Sequence, residues 1–340
     1  MPWGNEMSRI LNLSLLALAA ALSSPAQAGL VPEQAIKDAE AGYFHRALAQ
    51  IQPLVTAHPQ DAELQYRYGQ ALTGIGKADD AITALKAAIE LDPKSGVYHR
   101  ALGEAYGLKA QQGLADGSAG MFSMMGLMKS ARGEFELGGQ LAPEDVQSHV
   151  DLAMYYIMVP GIMGGSYSKA HDEETLIDKL DAVQGLQVRA SEAGNKDKLD
   201  DGVKLLQQAI EKDPTSGSRI ALGLFYAGGK RYDEAFQAFR DAQAKDPKAY
   251  MAWYQIGKTA GLAKSNYDEG IASLKQYLVF TDLPDTLPSQ AWAHFRLGNI
   301  YEAQGHADLA KAEYLSAGEQ NVNHDPDLAA RLKDAQGRIK

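Results

Sequence analysis

The chain has 340 residues, of which 45% are hydrophobic, a formal net charge of −10 and no cysteine. Without cysteine there are no structural disulfides, thiolate metal sites, thiol catalysis or acylated lipoprotein cysteine. The acidic balance argues against nucleic acid as a ligand, because phosphate contacts need clustered Lys and Arg and the basic residues here are scattered among more numerous acids.

The first 28 residues have the features of a cleavable export signal. Arg9 precedes an apolar run over 10–22, and Ala26-Gln27-Ala28 fits the small-x-small pattern that signal peptidase cuts. The run is shorter than the roughly 20 residues that a membrane-spanning helix needs. We therefore predict cleavage after Ala28, export to the periplasm and no stable membrane insertion after cleavage.

A repeat with a period of about 34 residues follows the export signal. Small residues at its eighth and twentieth places suit two helices that cross closely, and a proline at its end stops the second helix. The clearest unit contains Tyr68, Gly69, Leu72, Ala81, Leu85, Ala88 and Pro93. Other units repeat the pattern at Leu102-Gly103, Leu222-Gly223, Ile256-Gly257 and Leu297-Gly298.

These residues resemble the tetratricopeptide repeat, a pair of antiparallel helices, over nearly the whole mature chain. The resemblance implies an all-α fold, an α-solenoid in which stacked helix pairs form a right-handed superhelix with a concave groove. We expect about eight units across 29–326, with insertions near 108–129 and 158–168. A polar capping helix is expected over 327–340.

The first insertion ends in four methionines at helical spacing, Met121, Met124, Met125 and Met128. Three interpretations are open. The stripe is a short apolar helix packed against the solenoid, a surface for a partner helix to which thioethers adapt, or a Cu(I) site. No nearby pair of histidines supports copper.

The second insertion contains Pro-Gly-Ile-Met-Gly-Gly-Ser followed by Lys169 and Ala170. This segment resembles a PGIxGGSxxKA signature found in a subset of bacterial exported tetratricopeptide-repeat proteins. The glycines before Ser166 lack the Gly-Lys-Ser/Thr ending and the βαβ context of a phosphate loop. We predict a loop between helices, with Ser166 as the N-cap of the next one.

The sequence gives little support for catalysis. The eight histidines form no metal-ligand spacing such as HExxH, and no GxSxG elbow is present. The run Asp172-Glu173-Glu174 is interpreted as the solvated first turn of a helix rather than as a metal site. We therefore predict no enzymatic activity, no cofactor and no metal site.

The resemblance also implies which side chains line the groove, because the first helix of each unit faces it at fixed places. Aromatic residues and arginines on an exposed concave surface are typical of binding hot spots. Only Lys258 and Asn299 correspond to the Lys/Asn carboxylate clamp of chaperone-binding members. The candidates for partner binding are Tyr66, Arg67, Gln70, Arg100, Glu104, Tyr254, Gln255, Lys258, Trp292, Phe295, Arg296 and Asn299.

The sequence therefore predicts a periplasmic scaffold or adaptor that binds protein or peptide partners in the cell envelope. Two alternatives are a copper-handling protein that uses the methionine stripe, and a fixed structural subunit of an envelope complex.

Overall fold

The computed structural model of the chain describes residues 30–115, 117–118, 120–321 and 325–339. The predicted export signal, 1–28, lies outside the described residues. Within them every regular element is helical and no strand occurs, which confirms the predicted all-α fold.

The described residues form two compact units. The first extends to Asn195 and includes Pro284–Thr286, and the second contains the remaining residues from Lys196 onward. The helices of the first unit are α1 Glu33–Glu40, α2 Phe44–Ala57, α3 Ala62–Gly74, α4 Ala78–Leu91, α5 Gly96–Ala115, α6 Met121–Leu141, α7 Val146–Met158, α8 Tyr167–Leu180 and α9 Ala182–Asn195. Those of the second are α10 Leu199–Lys212, α11 Ser216–Gly228, α12 Tyr232–Lys245, α13 Tyr250–Ala263, α14 Tyr267–Val279, α15 Gln290–Ala303, α16 Ala307–Glu319 and α17 Pro326–Arg338.

Consecutive helices pack in pairs within each unit. The most extensive contacts join α3 with α4, α5 with α6 and α7 with α8 in the first unit, and α11 with α12, α13 with α14 and α15 with α16 in the second. The first helices of neighbouring pairs also contact each other, as α3 does with α5 and α11 with α13. Each unit is therefore a stack of helix pairs, the α-solenoid arrangement that the repeat predicts.

The predicted close crossing of the helices at the eighth place of the repeat is confirmed. A Cβ atom placed on Gly103 would lie 2.7 Å from Cδ1 of Phe135, and one on Gly257 would lie 2.1 Å from Cγ of Leu274. Both distances are well inside van der Waals contact, so a larger residue would push the second helix away. The same close approach occurs at Gly69, Gly223 and Gly298.

We expect Gly103→Ala to destabilise the first unit by about 1–3 kcal/mol, because the added methyl group overlaps the ring of Phe135. Gly107 lies one turn further along α5, and a Cβ atom there would meet nothing within 4 Å. Gly107→Ala should instead stabilise by about 0.5–1 kcal/mol through its higher helix propensity. Urea unfolding of the two variants measures the difference, and equal effects would contradict the close crossing.

The residue at the fourth place of the repeat, in the first helix of each pair, contacts the proline that follows the preceding helix pair. A side-chain nitrogen there lies within hydrogen-bond distance of the proline carbonyl oxygen. The proline thus stops one helix and also helps to position the next. The bonds join Gln65 to Pro59, His99 to Pro93, His149 to Pro143 and Trp253 to Pro247, at 3.0, 3.3, 3.0 and 3.1 Å.

The insertion near 108–129 lengthens α5 and α6 instead of forming a separate helix. α5 has 20 residues and α6 has 21, whereas α3 and α4 have 13 and 14. The side chain of Met121 is 72% exposed and that of Phe122 is 89% exposed. The interpretation of the stripe as a helix packed against the solenoid is confirmed for Met128, which packs against the core of the first unit, and is wrong for Met121 and Met125, whose side chains are exposed.

Candidate partner-binding surface

In the first unit the predicted groove residues lie on adjacent first helices. α3 carries Tyr66, Arg67 and Gln70, and α5 carries Arg100 and Glu104. The guanidinium of Arg67 donates to Oε1 of Gln70 at 3.3 Å, and both side chains are half-buried. The structure thus brings these predicted residues together on one surface, which we call the first-helix surface.

Tyr66 is not an exposed member of this surface. Its side chain is 5% exposed, and its ring stacks on that of Tyr98 with the centroids 4.7 Å apart. The guanidinium carbon of Arg67 lies 5.0 Å from the Tyr66 centroid. The expectation that Tyr66 is exposed is wrong, because its ring fills the space between α3 and α5.

Arg100 is the centre of a largely buried charge cluster that we call the Arg100 cluster. Its Nη1 lies 2.5 Å from Oε1 of Glu104 and 3.4 Å from Oδ2 of Asp151. Its Nε lies 3.4 Å from Oδ2 of Asp145, the N-cap of α7. One cation therefore faces three carboxylates, and it connects α5 to the beginning and the middle of α7.

This excess of acids shifts the pKa of Asp151 upward. Burial is the main cause that raises the pKa of Asp151, and the charge of Glu104 adds to it, so the pKa reaches about 8 despite the opposing effect of Arg100. The raised pKa favours the protonated form of Asp151, which lowers the negative charge of the Arg100 cluster.

In the second unit, α13 carries Tyr254, Gln255 and Lys258. Tyr254 is 4% exposed and Gln255 is 7% exposed, so the expectation that they line an open groove is wrong. The Tyr254 ring packs 5.5 Å from that of Tyr277, and Nε2 of Gln255 lies 3.3 Å from the sulfur of Met251. Both side chains are used in packing, whereas Lys258 is half-buried.

Trp292 and Phe295 on α15 are also buried, at 6% and 4% exposure. Nε1 of Trp292 donates to Oδ2 of Asp325 at 2.8 Å, and the guanidinium carbon of Arg331 lies 5.9 Å from its ring centroid. Asp325 is the N-cap of α17. The expectation of an open C-terminal groove lined by these two rings is therefore wrong, because α17 and its N-cap lie against Trp292.

The other two candidates on α15, Arg296 and Asn299, are half-buried. Nε of Arg296 donates to the hydroxyl of Tyr254 at 3.3 Å, and Oδ1 of Asn299 accepts from the hydroxyl of Tyr314 at 2.8 Å. In the second unit, Lys258, Arg296 and Asn299 are thus the predicted residues that solvent still reaches.

The signature segment after α7 is explained by its backbone geometry. Gly164 has a φ of +103°, and a Cβ atom on Gly165 would lie 1.7 Å from the carbonyl oxygen of Val159. The hydroxyl of Ser166 accepts from the backbone N–H of Lys169 at 3.4 Å, which confirms Ser166 as the N-cap of α8. The glycines therefore allow a tight turn between α7 and α8.

His149 joins α7 to the neighbouring helix α8. Its Nδ1 lies 2.7 Å from Oε2 of Glu173 and its Nε2 lies 3.0 Å from the carbonyl oxygen of Pro143. The hydrogen bond to Glu173 is the main cause that raises the pKa of His149. Because both partners are acceptors, the protonated ring stabilises this contact, and the stabilisation is lost as the pH rises through the raised pKa.

The burial of Glu174 was missed by sequence reasoning. α8 begins at Tyr167, so the run Asp172-Glu173-Glu174 lies in its second turn, and Glu174 is only 2% exposed. The prediction of a solvated first turn is wrong because this face of α8 packs against its neighbours. Ala170 and Ile177, four residues before and three residues after Glu174, are a signal in the sequence that places it on the buried face.

A sequence profile described as tetratricopeptide repeat matches residues 33–106 and 188–250. The chain contains tetratricopeptide repeats. Within those two segments, the helix pairs that cross at Gly69 and Gly223 are the structural form of the repeat. No curated protein matches the chain.

Solved structures share the helical fold of these tetratricopeptide repeats. The human IFIT1 dimer with PPP-AAAA has a TM-score of 0.51 and 18% identity, over 84% of this chain and 68% of that one. A tetratricopeptide repeat protein from Parabacteroides merdae has a TM-score of 0.47 and 14% identity, over 81% of this chain and 98% of that one. At such identities the likeness to IFIT1 shows the fold and says nothing about a shared ligand.

Proposed function

We propose that this protein is a scaffold of the cell envelope that binds protein partners and is not an enzyme. The tetratricopeptide repeats support an interaction role, because stacked helix pairs present extended surfaces to other proteins. The solvent-accessible candidates of the first-helix surface, Arg67 and Gln70, stay in the proposed interface. So do Lys258, Arg296 and Asn299 of the second unit.

The observation that carries the proposal is the exposed apolar tip of the hairpin formed by α5 and α6. We call this the hairpin tip and define it by Leu114, Met121, Phe122 and Met125, which are 68%, 72%, 89% and 37% exposed. These four exposed apolar side chains lie within the short stretch 114–125, and contiguous exposed apolar surface marks interaction sites. Flexible methionines around one phenylalanine suit an apolar helix of a partner, because thioethers adapt to its shape.

A protein explains the hairpin tip better than a lipid surface does. No charged residue occurs between Gly117 and Met128, so the segment lacks the basic cluster that attracts anionic lipids. The net charge of −10 would oppose approach to such a membrane. No described helix is long and apolar enough to cross a bilayer.

We place this function in the periplasm. The support is the apolar run and the Ala26-Gln27-Ala28 cleavage pattern of the first 28 residues, from which the mature chain would begin at Gly29.

Site-specific photocrosslinking in cells tests the proposal. A benzophenone amino acid replaces Phe122 at the hairpin tip, and a matched variant carries it at Leu309, a 50% exposed apolar position in the second unit. We expect the Phe122 position to give a discrete protein adduct in the periplasmic fraction and the Leu309 position to give none. Adding Met121→Ser and Met125→Ser should remove the adduct without changing the melting temperature, because both side chains are exposed.

Three results would overturn the proposal. The first is an equal yield of protein adduct from the probes at Phe122 and Leu309. The second is a crosslink from Phe122 to lipid, together with flotation of the protein on phosphatidylglycerol vesicles. The third is recovery of the chain only from the cytoplasm. The partner found at Phe122 should also crosslink to the hairpin tip when the probe is placed in the partner. A crosslink that forms only when the probe is at Phe122 would contradict a specific binding site.

A further inference from the structure

A second feature of the first unit lies outside the hairpin tip and is independent of partner binding. His171 and Glu174 are one turn apart on α8, and Glu192 lies on α9. One ring nitrogen and one oxygen from each carboxylate all lie within 4.8 Å of one another. Residues three apart share one face of a helix, so α8 presents two possible ligands towards the third.

The two carboxylates of this group are buried. Glu174 is 2% exposed and Glu192 is 7% exposed, whereas the side chain of His171 is 64% exposed. Oε2 of Glu174 lies 2.8 Å from Nδ1 of His171, but Oε1 of Glu174 is buried without a hydrogen-bond partner. Leaving a buried carboxylate oxygen unsatisfied is costly unless a positive charge is brought to it.

The surrounding charges provide only part of that compensation. Burial raises the pKa of Glu174, and the negative charge of Glu192 raises it further, against His171 and Arg189. The guanidinium of Arg189 is engaged by Asp178. Two buried acids thus face each other with one imidazole at the solvent side.

The other His–Glu pairs of the described residues differ from this group. Nδ1 of His99, of His149 and of His294 each contacts one glutamate. The opposite ring nitrogen lies near a proline carbonyl oxygen in the first two pairs and near the side-chain nitrogen of Gln320 in the third. Those pairs fix helices to each other. Within the part of the chain that the structure describes, His171, Glu174 and Glu192 are the group that combines three potential metal ligands.

We propose that His171, Glu174 and Glu192 bind one zinc ion between α8 and α9. Zinc takes imidazole nitrogen and carboxylate oxygen at about 2.0–2.2 Å and is commonly held by three protein ligands with a fourth position open to water. Its charge would neutralise both glutamates and satisfy Oε1 of Glu174. The imidazole disfavours calcium and magnesium, which prefer oxygen ligands. The exposed His171 leaves a route for the ion to enter.

Zinc titration against a chromophoric chelator tests the site, using the whole chain purified without a histidine tag. We expect one zinc per chain, no competition by magnesium, and a higher melting temperature with zinc. Glu174→Gln keeps the shape of the side chain and should weaken zinc binding by about 100-fold or more, which exceeds the loss caused by removing a group that only orients a metal ligand. His171→Ala, at an exposed position, should weaken binding without affecting the fold. His58→Ala, at another exposed histidine, is the matched control and should leave it unchanged.

A proton held by the glutamates would be the competing explanation for their burial. In that case zinc would not stabilise the wild type, and Glu174→Gln would raise the melting temperature equally with and without zinc. This result, or zinc affinity that is the same in wild type and His171→Ala, would overturn the site.

Discussion

Arg100→Met is expected to destabilise the first unit by about 3–5 kcal/mol at pH 9, because it leaves the buried carboxylates of the Arg100 cluster without their cation. The side chain of Arg100 is 11% exposed, and the side chains of Asp151 and Glu104 are 16% and 23% exposed. Water therefore screens these charges poorly. The cost should be smaller at pH 5.5, where Asp151 carries a proton in the folded state.

The matched control is Arg67→Met. Arg67 also pairs with a glutamate four residues away, but the side chain of that partner, Glu63, is 42% exposed. Exposed pairs contribute at most about 1 kcal/mol, so this variant should lose little stability. Urea unfolding followed by circular dichroism at both pH values gives the comparison. If the two variants lose the same free energy of unfolding at pH 9, the Arg100 cluster is not a buried network.

Asp151→Asn should have the opposite effect from Arg100→Met. The pKa of Asp151 is raised to about 8 in the folded protein, so between about pH 4 and pH 8 the folded state binds more protons than the unfolded state. The stability of the wild type therefore falls as the pH rises through this range. Asp151→Asn removes this dependence, so it should be about as stable as the wild type near pH 4, and its advantage should grow as the pH rises, to at least about 1–3 kcal/mol at pH 9.

Features that depend on one helix pair could be predicted from the sequence. The glycine at the eighth place and the small residue at the twentieth meet within the same pair, so their spacing alone indicates the crossing. Ser166 could be predicted as an N-cap for the same reason, because a cap acts on the first turn of its own helix. The all-α repeat fold followed from these local signals.

Burial by neighbouring elements could not be predicted from a single repeat. The fifth-place residues Tyr66, Tyr254 and Phe295 have the register of groove residues, yet their rings are large enough to pack against the adjacent helices. In the methionine stripe, Met128 packs against the core as expected, whereas Met121 and Met125 were expected to be covered and are exposed. Helical spacing indicated a helix correctly, but it cannot tell whether a second element covers the face, and at the hairpin tip Met121 and Met125 are exposed.

The acids were misjudged for a related reason. Glu174 belongs to a charged run, and charged runs are usually solvated. The packing of α8 against α7 and α9 overrides that tendency at one position of the run and leaves its neighbour Asp172 exposed. Likewise, nothing in the sequence near Arg100 indicates Asp145 or Asp151, which are supplied by the next helix pair.

Trp292→Ala is expected to destabilise the second unit by about 3–5 kcal/mol, because the residue is part of the core beneath α17 and not a ligand-facing side chain. The substitution removes a ring that is 6% exposed, its edge contact with Phe295 and its hydrogen bond to Asp325. Asp325 also caps α17 by accepting from the N–H groups of Asp327 and Leu328. Loss of the tryptophan should therefore loosen α17 first.

Hydrogen exchange measured by mass spectrometry localises the effect. We expect faster exchange in α17 and α15 of the Trp292→Ala variant, together with a lower midpoint of urea unfolding. Arg296→Ala is the matched control, because Arg296 lies one turn from Trp292 on the same helix but is half-buried and makes a 3.3 Å bond to Tyr254. Its loss should cost about 1 kcal/mol or less. If Trp292→Ala folds as stably as Arg296→Ala and exchange in α17 is unchanged, then α17 does not cover the tryptophan in solution, and an open C-terminal groove lined by Trp292 and Phe295 would again be the better description of this region.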